Sequence, residues 1–417
     1  MINNLVDFIK LNRPKYLSCY FADTVGKLKT INVPISKAET VLTDGIYFAG
    51  CGIKGFTTMK DSDLLAKPDL KTIKLFENTL FVACDILKDG IPFVGDTRFK
   101  LKEILNTALN HGYTFKVGLE YEYFLFKDNN LLLNDNSESL EPSKDADVVQ
   151  QHIVDELEKI GISIYSFTHE ESPSQYEIST MYCDILQCAD NAMITKHIIQ
   201  SIASKHGLIA SFMPKPLETE YGNGFHIHIS MYNKNEDNIF INNEDTTIKF
   251  ISGIINHAKS LTAIFNPCVN SYKRLVSNNY IETPIYIGWS YKNRSNAIRI
   301  PESNNRIELR SPDCTCNPYL TLHTTIAVGL DGLTTETQIS PLDINPNDLS
   351  EEELTNKKIE RVPHNIETAL SFFENDDFIK KTLGDHIFKN YSEILKSELT
   401  EYNSHISNWE IEKFLMR

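Results

Sequence analysis

The chain has 417 residues, 41% of them hydrophobic, and its 41 lysines and arginines against 56 aspartates and glutamates give a net charge of −15. This length predicts two or three domains rather than a lone binding module, and the negative charge argues against a nucleic acid or an anionic membrane as the main partner. No apolar run reaches the roughly 18 residues of a membrane-spanning helix, and charged residues interrupt the apolar N-terminus, unlike in a signal peptide. The eight cysteines lack zinc-site spacing, so we expect reduced thiols in a cytoplasmic protein.

Short strands and turns are predicted for the first part of the chain. Two strands flank a turn at Thr24–Gly26, and a glycine-rich stretch follows between Gly45 and Gly55. Extended chain up to Pro92 and the Gly95–Asp96 pair then indicate a boundary. We therefore predict one domain over residues 1–95 and a second over residues 96–417.

Helices alternate with strands in the second domain. Apolar spacing and terminating residues predict helices over residues 145–160, 184–206, 366–374 and 376–396. A last helix is predicted in NWEIEKFLMR, with its apolar side chains facing inward: Trp409, Ile411, Phe414 and Leu415. We interpret these helices as packing elements rather than as sites.

Four predicted strands carry unusual polar side chains on one face. Residues two apart share a face of a strand, so GLEYEYFLF places Glu120 beside Glu122, and HIHIS aligns three polar side chains against two isoleucines. In RIELR the glutamate shares a face with both arginines, and in SQYEIS the glutamate lies opposite an isoleucine. The side chains concerned are Glu120, Glu122, Glu177, His226, His228, Ser230, Arg306, Glu308 and Arg310.

For any one of these strands, a polar face turned to water is the simpler interpretation. That interpretation is less favoured here because four such strands lie beside bulky apolar neighbours, and because Glu170 and Glu171 add two more carboxylates. Two carboxylates ~4 Å apart repel by about 4 kcal/mol at an effective dielectric constant of about 20, so converging glutamates need cations. Carboxylate oxygens with an imidazole suit Mg²⁺ or Mn²⁺ better than Zn²⁺.

Arginines are concentrated in one segment of a chain in which lysine otherwise dominates. Five lie within the 37 positions from 274 to 310: Arg274, Arg294, Arg299, Arg306 and Arg310. Each alone is more typical of a salt bridge, but together they suggest an anionic partner, most simply a phosphate. With divalent metals and no evident nucleophilic serine or cysteine, this chemistry fits phosphoryl transfer. Neither a GxxxxGK[ST] loop nor a GxGxxG after a strand is present, so nucleotide binding would need another architecture.

The same segments resemble the motifs of the glutamine synthetase superfamily, in the family's order and along nearly the whole chain. They are GLEYEYFLF, HEESPSQYEI, GNGFHIHIS, NPCVNSYKRL, NRSNAIRIP and RIELRSPDCTCNPYLTL, with DGIYFAGCGIKGF and DSDLLAKPD in the first domain. The resemblance implies an α+β fold, with an N-terminal β-grasp domain and a catalytic domain of a curved antiparallel sheet with helices. It also implies a homo-oligomer of stacked rings, expected to be a dodecamer, in which the N-terminal loop of one subunit closes the catalytic funnel of its neighbour.

The reaction implied by the resemblance joins the γ-carboxylate of L-glutamate to an amine through γ-glutamyl phosphate. ATP is the co-substrate and is hydrolysed to ADP and phosphate, and Mg²⁺ or Mn²⁺ is the cofactor. The metal near the ATP phosphates would be held by Glu120, His226 and Glu308. The metal near the γ-carboxylate would be held by Glu122, Glu170 and Glu177.

The remaining roles also follow from the resemblance. Glutamate would be bound by Arg274, Arg310 and the carbonyl of Gly222. The nucleotide and its phosphates would be bound by Arg294, Arg299, Arg306, His228 and Ser230. Glu282, Arg294, Arg299 and Asp63 would be catalytic, with Glu282 shielding the acyl phosphate and helping to take up the amine proton.

One departure from the family pattern concerns the amine. Ammonia-using members read Phe-Asp-Gly-Ser-Ser where this chain reads FAGCG, so Ala49 replaces the aspartate that binds and deprotonates ammonium. Branches lacking this aspartate resemble γ-glutamylmethylamide synthetase and other γ-glutamyl–amine ligases, which favours methylamine or a related small primary amine. Because Asp63 and Glu282 remain, glutamine synthetase using ammonia is the alternative. Two other functions are less consistent with these residues. A non-catalytic ring would be expected to have lost metal ligands, whereas all six predicted ligands are present. A carboxylate kinase that transfers no amine would not need Glu282.

Overall fold

Two β-sheets organise the chain in its computed structural model, which describes residues 8–127, 131–132, 140, 144–276, 282–291, 293–303, 305–336 and 338–417. Within these residues the first sheet has seven strands and the second has eleven, and helices cover mainly the second. The predicted α+β fold is confirmed, whereas the domain boundary at residue 95 stays a prediction.

The first sheet is formed near the N-terminus. Its strands are β1 (Tyr16–Ala22), β2 (Leu28–Pro34), β3 (Ile46–Ala49), β4 (Asp63–Pro68), β5 (Lys74–Phe76), β6 (Thr79–Lys88) and β7 (Ile91–Pro92). Their order is β2-β1-β6-β4-β3, with β5 and β7 paired to β6. β1 and β2 are the two strands predicted around the turn at Thr24–Gly26, and they pair antiparallel. A helix, α1 (Ala38–Asp44), buries Ala38, Val41 and Leu42 in the core of this sheet.

The second sheet contains the strands with unusual polar faces. Its strands are β8 (Thr114–Lys127), β9 (Leu131–Leu132), β10 (Ile164–His169), β11 (Gln175–Thr180), β12 (Cys183–Asp184), β13 (Leu208–Ser211), β14 (Phe225–Tyr232), β15 (Tyr286–Ser290), β16 (Asn296–Arg299), β17 (Ile307–Leu309) and β18 (Glu360–Arg361). Their order is β10-β11-β8-β14-β17-β16-β15-β18, with β9, β12 and β13 paired to β8. All these pairs are antiparallel except β15 with β16.

Helices account for most of the remaining described chain. They are α2 (Thr97–Asn110), α3 (Lys144–Lys159), α4 (Ile185–Lys205), α5 (Ile239–Asn242), α6 (Glu244–Asn256), α7 (Ala258–Phe265), α8 (Ser271–Arg274), α9 (Pro318–Gly332), α10 (Glu351–Asn356), α11 (Ile366–Glu374), α12 (Asp377–Leu383), α13 (Asp385–Ser404) and α14 (Asn408–Phe414). Short 3-10 turns cover Ile35–Lys37, Gly50–Gly52, Leu70–Thr72 and Pro346–Asp348. Helices predicted over 145–160, 184–206 and 366–374 correspond to α3, α4 and α11.

Alternation along the strands decides which side of the second sheet is core. Leu119 and Tyr121 of β8 and Ile227 and Ile229 of β14 are buried in a large apolar cluster shared with α4 and α9. Their neighbours in sequence, including Glu120, project to the other face because successive side chains alternate. The apolar face thus anchors the sheet and leaves the charged face free to line a cavity.

Two helix predictions differ from the structure. The helix predicted over 376–396 is interrupted at Gly384, whose φ of +77° belongs to the left-handed region, so α12 and α13 are separate. The inward orientation predicted for the last helix is wrong, because α14 buries none of its residues and Trp409 and Leu415 are 58% and 74% exposed. The apolar stripe predicted a buried face, but none of the described elements of the same chain covers it.

A buried arginine connects the first sheet to the helices of the second. Arg98 in α2 is 2% exposed and donates to Asp85 at 2.6 Å and to Asp69 at 2.8 Å, both in the N-terminal part of the chain. It also donates to both oxygens of Asp190 in α4, at 2.8 Å each. One guanidinium therefore holds together three segments that are distant in sequence.

Candidate active site

The charged face of the second sheet lines a cavity of about 490 Å³. Two of the predicted site residues, Asp63 and Ser230, do not line it, although both belong to the described part of the chain. All the others line the cavity: Glu120, Glu122, Glu170, Glu177, Gly222, His226, His228, Arg274, Glu282, Arg294, Arg299, Arg306, Glu308 and Arg310. Segments that span almost 200 residues of sequence thus meet in one place.

Strand register explains this convergence. On β8, Glu122 is opposite Glu177 of β11, and Glu120 is opposite His226 of β14. On the far side of β14, His228 is opposite Glu308 of β17. Because side chains directly opposite each other project from the same face, these three pairings bring the acidic and imidazole groups together.

Glu120 is the centre of the polar cluster. Its Oε1 is 2.7 Å from His228 Nε2, and its Oε2 is 3.1 Å from His226 Nδ1. Burial opposes ionisation of this carboxyl, but the two imidazoles outweigh it and hold its pKa well below the usual range. Glu120 is therefore a carboxylate flanked by two potential nitrogen ligands.

Two further glutamates are crowded by like charge. Burial raises the pKa of Glu177 to about 9, and Glu120, Glu170 and Glu122 reinforce the effect. Burial likewise raises the pKa of Glu170 to about 8, with Glu122 as the strongest charged neighbour. A cation bound between these carboxyls would stabilise their charged forms and offset the repulsion between them.

The donor atoms are close enough to share a metal ion. Glu120, Glu177 and His226 each contribute one ligand atom, and these atoms lie within 4.8 Å of one another. The same holds for Glu120, His228 and Glu308. Carboxylate oxygens with an imidazole nitrogen suit Mg²⁺ or Mn²⁺, so the residues present fit such a cofactor. This grouping differs from the predicted one in placing His226 with Glu177 and His228 with Glu308.

Arginines neutralise the opposite wall of the cavity. Glu308, only 2% exposed, accepts from Arg310 Nη1 at 2.6 Å and from Arg299 Nη1 at 2.9 Å. Burial opposes its ionisation, yet Arg310 and the histidines lower its pKa to about 2. Arg306 Nε lies 3.0 Å from His228 Nδ1, so a third guanidinium borders the same carboxylate and imidazole cluster.

The rim of the cavity is more open. Glu282 Oε2 lies 3.4 Å from Arg294 Nη1 and 3.7 Å from Arg310 Nη2, and the side chains of Glu282 and Arg294 are about half exposed. Arg274 is buried deeper, and its guanidinium donates to the carbonyls of Ser311 and Arg310 at 2.8 and 3.0 Å. Positive groups therefore line the cavity from its buried end to its entrance.

Sequence reasoning missed some lining residues. Gln175 lines the cavity, and its Nε2 donates to the carbonyl of Gly222 and to Asn223 Oδ1, each at 3.1 Å. The sequence contained one indication that Gln175 belongs to the site. It lies two residues before Glu177, and residues two apart share a face of a strand. Tyr221, which the sequence did not indicate, also lines the cavity, as does Glu171, which the sequence indicated only as an additional carboxylate beside Glu170.

Position 49, where ammonia-using members of the superfamily have an aspartate, lies in the first sheet. Ala49 ends β3 and is exposed, and the register of β3 with β4 places it directly opposite the exposed Asp63. Neither residue lines the cavity of its own chain as described. Ser230 is also outside the lining, and its hydroxyl donates to the carbonyl of Asn305 at 2.8 Å.

Models of known protein families match both parts of the chain. The β-grasp domain of glutamine synthetase matches residues 13–89, and the catalytic domain of glutamine synthetase matches residues 94–414. The chain belongs to the glutamine synthetase family. Members of this family use ATP and a divalent metal, Mg²⁺ or Mn²⁺, in agreement with the donor atoms of the cavity.

Individual relatives are similar over their full length. Glutamine synthetase of Methanocaldococcus jannaschii is 36% identical, covering 100% of this chain and 98% of the relative. That of Halobacterium salinarum is 34% identical, covering 99% and 96%. The structure of GmaS in complex with ADP, a glutamine synthetase-like enzyme, has a TM-score of 0.91 at 30% identity, covering 99% of both chains. Among the described helices, we find none that is both long and apolar enough to cross a membrane.

Proposed function

We propose that this member of the glutamine synthetase family is an ATP-dependent ligase that joins the γ-carboxylate of L-glutamate to methylamine or a related small primary amine. The observation that carries the choice of amine is Ala49, an exposed methyl group where ammonia-using members of the superfamily place an aspartate. Without that carboxylate, attraction for a small hydrated cation falls and space opens for a carbon substituent. The similarity to GmaS supports a glutamate–amine ligase of this kind.

The proposed reaction has two steps. The γ-carboxylate of glutamate attacks the terminal phosphorus of ATP, forming γ-glutamyl phosphate and ADP, and the amine then displaces phosphate to form the amide. Arg274 and Arg310 would bind the glutamate carboxylates, and the carbonyl of Gly222 would accept from the amino group. Positive charge that is held in place before the reaction stabilises the transferring group most effectively.

The phosphates would be bound by the arginine wall. Arg294, Arg299 and Arg306 would contact the ATP phosphates and the transferring group, with His228 and Ser230 near the nucleotide. Glu282 at the rim, beside Arg294, would shield the acyl phosphate from water and take up the proton that the amine loses. Its half-exposed carboxylate can reach an incoming amine more easily than the buried glutamates can.

The divalent cofactor would be held by the six residues carried over from the family: Glu120, Glu122, Glu170, Glu177, His226 and Glu308. When bound, divalent cations polarise the phosphoryl and carboxylate oxygens and neutralise developing charge. Ionisation of Glu170 and Glu177, which burial and like charge oppose, would accompany cation binding.

Stacked rings, with twelve subunits, are the proposed assembly. The exposed apolar side chains of α14, including Trp409 and Phe414, support contacts with further copies of this chain. The assembly would also bring Asp63 of one subunit to the cavity of its neighbour, which agrees with its absence from the cavity of its own chain. Asp63 would then act on the amine together with Glu282 of the neighbour.

Glutamine synthetase activity with ammonia is the second candidate. The curated relatives that are 34–36% identical over nearly the whole chain carry that name, and Asp63 still provides a carboxylate opposite position 49. Asp63 could attract ammonium from the neighbouring strand, although its backbone position differs from that of the replaced aspartate.

The deciding experiment incubates the protein with glutamate, ATP, Mg²⁺ and a mixture of ammonia, methylamine and ethylamine, and identifies the amide by mass spectrometry. Initial rates of phosphate release with each amine then give kcat/KM values. We expect the methylamide or ethylamide to dominate. Preferential formation of glutamine, with the highest kcat/KM for ammonia, would show that the second candidate is correct.

A further inference from the structure

A second cavity lies behind β8, on the face opposite Glu120 and Glu122. It measures about 140 Å³ and is bordered by Leu119 and Tyr121 of β8, by the turn at 161–163 and by the start of α4. Two thiols, those of Cys183 and Cys188, line it. The proposed ligase reaction uses no residue of this cavity.

The position of the two cysteines around the start of α4 brings their sulfurs together. Asp184 precedes the first turn of α4, so Cys183 occupies the position before the cap and Cys188 the fourth position of the helix. Side chains at these two positions commonly pack against each other as a hydrophobic staple. Here both cysteine side chains line the same small cavity.

The two thiols differ in access and environment. Cys188 is 2% exposed, whereas Cys183 is only half-buried. The neighbouring Cys188 side chain lowers the pKa of the Cys183 thiol, whereas burial and Asp184 oppose this effect. The Lys74 ammonium adds to the lowering of this pKa. Lys74 is held nearby because its Nζ donates to the carbonyl of Ile160 at 3.1 Å. Thiolate character and access are what make a cysteine reactive.

A buried acceptor faces the same cavity. Asn191 is 8% exposed and lines the cavity, and its Oδ1 has no hydrogen-bond partner among the described residues. Buried polar atoms nearly always have partners, so this oxygen indicates room for a small hydrogen-bond donor. A hydroperoxide has such a donor and is small enough for the cavity.

We propose that Cys183 and Cys188 form a peroxide-reactive dithiol site, in which Cys183 attacks the oxidant and Cys188 resolves the product. The Cys183 thiolate attacks one oxygen of hydrogen peroxide, the O–O bond breaks, and the leaving hydroxide takes up a proton to become water. Cys183 is then a sulfenic acid. The Cys188 sulfur attacks it, the S–O bond breaks, a second water leaves, and a disulfide forms. The two thiols are oxidised by two electrons, and the peroxide is reduced to two waters.

The chain contains matched controls for this chemistry. Cys19 and Cys84 lie on the paired strands β1 and β6, and Cys84 lowers the pKa of the Cys19 thiol, but both cysteines are fully buried. Cys51 is half-buried like Cys183 but belongs to no thiol pair in the described structure. The first pair tests whether proximity of thiols is enough, and Cys51 tests whether exposure is enough.

The test treats the full-length protein with substoichiometric to equimolar hydrogen peroxide, blocks remaining thiols, and maps peptides by mass spectrometry. Cleavage after Lys159 and Lys196 gives a peptide with Cys183 and Cys188 as its only cysteines, so a disulfide lowers its mass by the two hydrogens lost. We expect this loss of two hydrogens before any change at Cys19, Cys84 or Cys51. Oxidation of Cys51 at the same rate would overturn the proposal, as would oxidation of the Cys19–Cys84 pair in the folded protein.

Variants separate the two roles. In Cys188→Ser, we expect a sulfenic acid to accumulate on Cys183 and to be trapped by dimedone, whereas Cys183→Ser should leave Cys188 unmodified. Lys74→Met should slow oxidation of Cys183 about fivefold or more, because a neighbouring ammonium favours the thiolate. Dimedone trapping on Cys183 of the unsubstituted protein would overturn the resolving role of Cys188.

Discussion

Glu122 Oε2 accepts a hydrogen bond from the backbone N–H of Gly224 at 2.6 Å, and a Cβ on Gly224 would lie 2.9 Å from Glu122 Oε1. The same Cβ would lie 2.7 Å from His226 Nε2 and 2.9 Å from Arg274 Nη2. Because Cβ contacts below 3.0 Å are essentially never seen, any side chain here must displace these groups. The absence of a side chain at Gly224 therefore lets two proposed metal ligands, Glu122 and His226, and one arginine approach one another.

We expect Gly224→Ala to weaken Mn²⁺ binding by about 10- to 100-fold, the range seen when the support of metal ligands is disturbed. Titration of Mn²⁺ followed by electron paramagnetic resonance measures this directly, and kcat/KM should fall in parallel. Gly288→Ala on β15 is the matched control, since its Cβ would come no closer than 3.2 Å to any other atom, and that nearest atom is the end of the Leu342 side chain. Unchanged Mn²⁺ affinity in Gly224→Ala would contradict the role given to this glycine.

Ala49→Asp should shift the proposed enzyme toward ammonia. An added carboxylate attracts a small cation and fills space that a methyl substituent would occupy, so we expect the ratio of kcat/KM for ammonia to that for methylamine to rise about tenfold or more. Ala49→Asn has nearly the same volume without charge and separates the two effects. If neither substitution alters the ratio, position 49 does not select the amine.

Replacing Arg98 should destabilise the junction between the two sheets. Arg98→Met leaves Asp190, whose side chain is 4% exposed, without its charged partner, and breaking a buried ion pair in this way costs about 3–5 kcal/mol. Lys102→Met removes a more exposed partner of Asp85 and should lower the free energy of unfolding by less than about 1 kcal/mol. Urea unfolding of both variants, followed by circular dichroism, compares the two losses. Equal losses would show that Arg98 is not the main connection.

His323 should make stability fall in mild acid. Burial lowers the pKa of this imidazole to about 4, although Nδ1 lies 2.8 Å from the carbonyl of Lys100. In the unfolded chain a histidine has a pKa near ~6.5, so between these values only the unfolded state binds the proton, and stability is lost as pH falls from about 6.5 to 4. At pH 5 this group alone should cost about 2 kcal/mol relative to pH 8.

Thermal unfolding of His323→Asn at several pH values checks this expectation. Asparagine can still donate to the Lys100 carbonyl but does not titrate, so the melting temperature of the variant should depend less on pH between 4 and 7. The exposed His405→Asn controls for the loss of a histidine as such. Identical pH dependence in His323→Asn and the unsubstituted protein would refute the prediction.

Local patterns together with the family resemblance identified most, but not all, of the residues that line the candidate site. Alternation along the strands placed Glu120 with Glu122 and His226 with His228, and the structure places all four in one cavity. Alternation could be read from the sequence because it follows from the geometry of an extended backbone. The ends of three predicted helices agree with the structure within one residue, but Gly384, in a left-handed conformation, separates α12 from α13, and α13 continues to Ser404, eight residues past the predicted end.

What the sequence by itself determined is the chemistry of each strand face and the family to which the chain belongs. Only the tertiary structure decided that Glu122 lies beside Glu177 and His228 beside Glu308, because strand register depends on packing between segments far apart in sequence. The raised pKa values of Glu170 and Glu177 have the same origin, since burial and crowding arise only after folding. The outward-facing apolar side chains of α14 depend on contacts beyond local periodicity, which predicts an apolar stripe but not the surface that covers it.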